Sequence, residues 1–248
     1  MRLTVLGGRG AFPAAGQACS GYLVEQDGFR LFVDPGYGSL LRLFDVVRAD
    51  EIDAVYVTHG HPDHCVDLNP LLRARALRDD PATPLPVYAL PGALDAVLAL
   101  DRPGMLADAL DLREFEAGNA FGIGPFEVAT RLLPHWLPNA GVRLTAGGAS
   151  LAYTGDTGPD PEVVALARDA DVLLAEATHV EEVPADSAAY LTSARQAGAQ
   201  AAKAGVGRLV LTHLWPGDDP AAARRVAGQA FADPIEVARP GLTVELAG

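Results

Sequence analysis

The 248-residue sequence predicts an α/β fold: two mixed β-sheets packed face to face, with helices on the outer faces of an αββα four-layer sandwich. Three observations lead there. Short apolar, β-branched runs bounded by turn residues recur along the whole chain. Helical stretches alternate with them. The chain also divides into two halves, about 1–115 and 120–248, each holding several strands followed by strand–helix–strand units. No linker or low-complexity tract separates the halves, so one domain over 1–248 with two pseudo-repeated halves is expected.

The elements follow in order. In the first half, "RLTVL" (2–6), "GYLVEQ" (21–26), "FRLFVD" (29–34), "DAVYVT" (53–58) and "PVYAL" (86–90) read as strands, and "SLLRLFDVVRA" (39–49) carries apolar residues at helical spacing. In the second half, 126–133, 141–146 and 150–155 read as consecutive antiparallel strands, followed by strands at 172–177, 207–212 and 242–247. The helix at 160–170 opens on Asp160 as N-cap and Pro161 at its first position. The helix at 193–205 has Ser193 and Gln196 at capping-box spacing and ends at Gly205, and a weaker helix covers 219–230.

Composition excludes several classes. Hydrophobic residues make up 49% and charged residues 21%, an ordinary globular balance. With 19 basic against 32 acidic residues the net charge is −13, which disfavours a nucleic-acid backbone or an anionic membrane as partner. A small phosphate-bearing molecule remains compatible, because a metal inverts the local field. No apolar run approaches the length of a membrane span, and "MRLTVLGGRG" does not read as a signal peptide. Cys19 and Cys65 alone imply no disulfide framework. A cytoplasmic protein is expected.

Chemistry concentrates in one hexapeptide. Three of six histidines, His59, His61 and His64, fall within "HGHPDH" directly after the strand at 53–58. Two histidines one residue apart in extended chain point the same way, and a following turn can redirect Asp63 and His64. Imidazole with carboxylate and no thiolate is the ligand set of hydrolytic zinc.

This H-x-H-x-D-H signature resembles the metal motif of the metallo-β-lactamase-fold hydrolase superfamily. The resemblance spans nearly the whole chain. It implies that Asp34 in "LFVDPG" supports the motif loop, and that His135 in "LLPHW", Asp156 in "YTGDT" and His213 in "LVLTHL" complete the ligand set. One metal would take His59, His61 and His135. The other would take Asp63, His64 and His213, with Asp156 bridging. The cofactors implied are two divalent ions, zinc first, with manganese or iron as alternatives. The activity implied is hydrolysis by hydroxide generated on the metal pair, with Asp63 as ligand and as orienting group.

The opening "LGGRGAFPAAGQACSGYLVE" resembles the glycine-rich segment of the branch that holds tRNase Z and small phosphodiesterases, and places Ser20 as a substrate-binding hydroxyl. That branch carries an assisting histidine after its "H-E-A-T" segment. Here the corresponding segment is "AEATH" and Tyr190 stands where the assisting histidine is expected. Either His179 or Tyr190 serves as the acid, or the leaving group needs none. The long tRNA-holding insertion of tRNase Z is missing, and with the acidic charge this argues against tRNA. A small phosphodiester or cyclic phosphate is the leading substrate class. Acyl hydrolysis (lactone, thioester or β-lactam) and a non-catalytic metal scaffold are the alternatives.

Cys65 reads as a small buried residue, with a soft ligand or redox thiol as the alternative. Trp136, Trp215, Phe12 and Pro13 either wall the pocket or pack in the core. The apolar helix at 39–49 offers a homodimer interface.

Overall fold

The computed structural model describes residues 1–80 and 82–247. Two seven-stranded mixed sheets form the centre. The first has the order β14-β1-β2-β3-β4-β5-β6, with β1 Arg2–Gly7, β2 Gly21–Gln26, β3 Phe29–Val33, β4 Ala54–Tyr56, β5 Leu85–Ala89, β6 Leu110–Glu114 and β14 Thr243–Glu245. The second has the order β13-β12-β11-β10-β9-β8-β7, with β7 Ala120–Ile123, β8 Phe126–Leu133, β9 Asn139–Ala146, β10 Ala149–Tyr153, β11 Val172–Glu176, β12 Leu209–Thr212 and β13 Ile235–Val237.

Both sheets share one pattern. Antiparallel pairing runs from β14 through β3 in the first and from β7 through β10 in the second, and the remaining strands of each are parallel. The sequence places strand 242–247 with the second half. In the structure it crosses over and pairs with β1, Thr243 opposite Thr4.

Period-2 alternation sorts each strand between two cores. In β2 and β3, Tyr22, Val24, Leu31 and Val33 face the second sheet, where they meet Val142, Leu144, Leu151 and Tyr153. Leu23 and Phe32 point the other way, toward α1 (Ser39–Phe44) and α3 (Leu68–Ala76) through Leu40, Leu43, Leu68 and Leu71. The second sheet turns Ala152, Leu173, Ala175 and Leu211 outward against α5 (Pro161–Ala167), α6 (Ala194–Ala204) and α7 (Pro220–Ala227). The result is the expected four-layer sandwich. Its caps also follow the sequence: the Asp160 side chain accepts from the Glu162 amide, Ser193 and Gln196 form a reciprocal capping box, and Gly205 closes α6 at φ 71°.

Several features depart from the sequence reading, among them the nine-residue helix α3, which that reading leaves unassigned. The 39–49 helix ends at Phe44, where the Asp45 amide bonds back to Arg42, and Arg48 turns extended before a separate 3-10 turn at Ala49–Glu51. The helical spacing there covers two pieces, not one. Strands β6, β7 and β13 escape the pattern because they are short edge strands with little to bury. The one-turn α2 (Pro62–Cys65) and α4 (Asp95–Leu98) are too brief for periodicity to reveal. No helix among the described residues is long and apolar enough to cross a membrane.

The turn after β3 approaches the motif loop so closely that only glycine fits. A Cβ at Gly36 would lie 1.8 Å from the Asp63 carbonyl oxygen. Gly36→Ala should therefore destabilise by about 2–3 kcal/mol, a fall of roughly 5–10 °C in Tm. Gly122→Ala, whose nearest neighbour would be the Phe126 carbonyl oxygen at 3.9 Å, should shift Tm by less than about 2 °C. Equal thermal stability of the two variants would contradict the packing.

Candidate metal centre

Every side chain of the cluster leaves the carboxyl end of a strand, where ligand sites form in α/β sheets. Asp34 follows β3, the hexapeptide follows β4, His135 follows β8, Asp156 follows β10, and His213 follows β12. His61 is extended (φ −68°, ψ 142°), and α2 then turns Asp63 and His64 inward.

The residues converge as two groups that share Asp156 and can each hold a metal ion: His59, His61, His135 and Asp156, and Asp63, His64, Asp156 and His213. In the first, His61 Nδ1 lies 3.1 Å from His59 Nε2 and 3.0 Å from His135 Nε2, and Asp156 Oδ2 lies 3.9 and 3.8 Å from those two Nε2 atoms. In the second, His213 Nε2 lies 3.2 Å from Asp63 Oδ2 and 3.1 Å from Asp156 Oδ2, while His64 Nε2 lies 3.2 Å from Asp156 Oδ1. A tetrahedron of ligand atoms about 2.0–2.1 Å from its centre has edges of about 3.3–3.4 Å, so both groups have the right size.

Neighbouring hydrogen bonds fix which ring nitrogen carries the proton. The Thr58 hydroxyl donates to Asp34 Oδ2 at 2.8 Å, so it can only accept from His59 Nδ1, 3.0 Å away. His64 Nδ1 donates to Asp34 Oδ2 at 2.8 Å, and His135 Nδ1 donates to the Tyr190 carbonyl at 3.0 Å. In all three rings the Nε2 atom is therefore left facing the cluster. His64 Nε2 and Asp156 Oδ1 are buried without a hydrogen-bond partner. Such orphaned atoms around one point are what a cation would satisfy.

The electrostatics agree. Burial, reinforced by neighbouring histidines, holds His59 well below the usual imidazole range, and burial likewise lowers His61 and His135. These rings are neutral, the form that binds metal. For His64 and His213 burial also acts downward, but Asp156 and Asp63 outweigh it and raise both. Asp156 is driven well below the carboxylate range, against burial, by His213 and His64. The field that favours imidazolium here favours any cation.

A supporting layer surrounds the ligands, of which the sequence reading assigned Asp34 and not Thr58, Tyr153, Glu176 or Thr178. Asp34 accepts from the Thr58 amide and hydroxyl, from His64, and from the Tyr153 hydroxyl at 2.8 Å. Behind His213, Thr178 Oγ1 lies 2.8 Å from Nδ1 and donates to Glu176 at 2.5 Å. Glu176 also receives the Thr157 and Thr192 amides, so it ties together the loops after β10, β11 and the one before α6. Burial first, and the Asp156 charge second, push its carboxyl up to about 8. Asp63 Oδ2 accepts the Ala11 amide at 2.8 Å. A Cβ at Gly10 would lie 2.8 Å from His213 Nδ1, which accounts for glycine in the opening segment. Glu176 and Thr178 stand in "AEAT", so the segment was visible, but no spacing rule marks a residue that acts through another.

The remaining expected residues are placed as follows. Tyr190 meets the centre through its carbonyl, not its ring, and the ring lies tilted on Trp136 at 5.1 Å. The His179 ring lies parallel to Trp215 at 6.3 Å. No hydrogen bond among the described residues links either side chain to the ligands. Ser20 is fully buried and its hydroxyl has no hydrogen-bond partner. Cys65 is buried outside both groups, and burial pushes its thiol up to about 12. Trp136, Trp215 and Phe12 are exposed and thus not core.

Thr178→Val keeps the shape and removes the hydroxyl between Glu176 and His213. Metal affinity should fall about 10- to 100-fold, measured by competition with a chelator. Unchanged affinity would remove this relay from the metal centre.

Comparison with known proteins fits this geometry. Residues 16–214 match the Beta-lactamase superfamily domain. The metallo-hydrolase YhfI of Bacillus subtilis (strain 168) is 31% identical over 86% of this chain and 87% of its own. Its crystal structure superposes with a TM-score of 0.89 at 28% identity over 98% of both chains. A Ribonuclease Z of Kineococcus radiotolerans is 32% identical over 86% of this chain and 82% of its own. The crystal structure of the short form of human tRNase Z shares the fold, with a TM-score of 0.78 at 22% identity over the full length of both chains. Relatives at this identity, the matched domain and the paired ligand groups together make the chain a member of the β-lactamase superfamily and a metal-dependent hydrolase.

Proposed function

We propose that the chain is a dinuclear, zinc-dependent phosphodiesterase acting on small phosphodiesters, cyclic phosphates included. The observation that carries this reading is the pair of four-residue groups sharing Asp156, with ring nitrogens oriented inward by their outer hydrogen bonds. His59, His61 and His135 would hold one ion, Asp63, His64 and His213 the other, and Asp156 both. All-nitrogen and oxygen donors suit zinc, and also manganese or iron. When bound, such a pair supplies a nucleophile from water at neutral pH and positive charge for the phosphoryl oxygens.

The chain's own residues do the rest. Asp63, anchored by the Ala11 amide, is placed to orient the attacking water. Asp34 and Glu176 keep the ligand rings aimed. His61, only partly buried, marks the side from which substrate would enter. Tyr190 and His179 line that side and are the two candidates to protonate the leaving oxygen.

A phosphodiester is favoured because relatives at about a third identity are named ribonucleases, whose scissile bond is a phosphodiester. A small substrate, not tRNA, is favoured by the net charge of −13. Assays on precursor tRNA, bis(p-nitrophenyl) phosphate, lactones, thioesters and nitrocefin separate these readings. Preferred turnover of tRNA or of an acyl substrate would overturn the proposal.

His61→Ala and Asp156→Ala should each lower turnover by more than about 100-fold, beyond the usual effect of losing an outer partner, and should reduce metal per chain by elemental analysis. A variant retaining both ions and full turnover would contradict the ligand assignment. Tyr190→Phe removes only a hydroxyl. If Tyr190 is the acid, hydrolysis of alkyl diesters falls about 100-fold or more while nitrophenyl diesters are spared. Equal effects on both assign the acid elsewhere.

A further inference from the structure

The chain contains two tryptophans, and both stand beside the metal centre, about half exposed. Trp136 directly follows His135, and Trp215 comes two residues after His213. Trp136 meets His135 edge-on at 5.1 Å and lies on the Tyr190 ring. Trp215 is met edge-on by Phe12 at 5.9 Å and is nearly parallel to His179, at 11°. His135 belongs to one ligand group and His213 to the other, so one aromatic platform adjoins each. Phe44 apart, every Phe or Trp counted as exposed among the described residues sits on this rim.

Exposed aromatic surface in this concentration contributes nothing to the core and marks a binding surface. Its position constrains the occupant. A phosphate reaching the ligand groups must approach a protein of charge −13. Contacts indifferent to charge lose nothing to that repulsion. Stacking on a flat ring is such a contact, and every nucleobase offers a π-face.

We propose that the two platforms form a base-stacking rim and that the substrate is a phosphodiester carrying a nucleobase. This rests on the phosphodiesterase reading and narrows it. The base stacks on a tryptophan, which sets the phosphorus over the ligand groups. His179 and Tyr190 back the two indoles, which gives these side chains a role whether or not either moves a proton.

Because both tryptophans lie on the rim, fluorescence excited selectively at tryptophan reports on it. Titration of the metal-loaded protein with AMP should quench emission saturably, and ribose 5-phosphate, which has the same phosphate and sugar without the base, should not. Trp136→Phe and Trp215→Phe should each remove a share of the quench. Trp215→Ala or Trp136→Ala should weaken AMP binding about tenfold. It should also lower kcat/KM for a nucleotide diester, relative to a ring-free dialkyl phosphate, by a similar factor. Equal responses to AMP and ribose 5-phosphate would overturn the stacking rim, as would emission that depends on protein concentration instead, the sign of a second copy covering it. AMP quenching without turnover of any diester would overturn the phosphodiesterase reading and leave the rim standing. Diester turnover without base discrimination would overturn the rim alone.

Discussion

The Asp34 carboxylate is the point on which the fold and the metal centre both depend. It takes two hydrogen bonds from Thr58, one from His64 and one from Tyr153, all at 2.8 Å. Thr58 and His64 come from the loop after β4 in the first sheet, and Tyr153 ends β10 in the second. One buried anion thus pins the motif loop, ties the two sheets together and sets the proton position on two ligand rings. Asp34 holds this place at φ +50°, a conformation that costs energy for a non-glycine residue and persists where surroundings over-determine it. Removing a carboxylate so heavily bonded strands four donors at once, a loss larger than any single contact suggests.

The sequence was most readable where chemistry is dense and periodicity is long. A histidine triplet in six residues has no common structural explanation, and His135, Asp156 and His213 were assigned by the family resemblance, with which their positions at the ends of recognisable strands agree. The αββα layering followed from the many apolar runs, such as 21–26 and 29–34, interspersed with helical stretches. What stayed hidden has physical reasons. Edge strands such as Ile235–Val237 bury too little to leave a pattern. Residues that act through another, Thr58, Thr178 and Glu176, have ordinary side chains whose meaning lies in who accepts whose proton. Tyr190 shows the limit well: its side chain attracted the reading, while the structure uses its backbone carbonyl, an atom every residue owns.

The two ligand groups are not equivalent. Asp63, His64 and His213 are buried, whereas in the other group His61 is partly open to solvent while the His59 and His135 side chains are buried. The group of Asp63, His64 and His213 carries the carboxylates that raise its histidines, and the rings of the other group are lowered chiefly by burial. A shared Asp156 joins a strongly polar inner half to a more accessible outer half. The aromatic rim stands at the outer edge of this arrangement, next to one ligand from each group.

The crossing of the last strand, Thr243–Glu245, into the first sheet bears on how the chain reaches its native state. Residues 2–4 find their outer neighbour only when residues 243–245 become available. Until then one side of β1 offers unpaired amides and carbonyls, a template for wrong partners. Closure of the first sheet thereby waits for residues 243–245, and the most sequence-distant strand pairing among the described residues becomes the slow step to expect in folding.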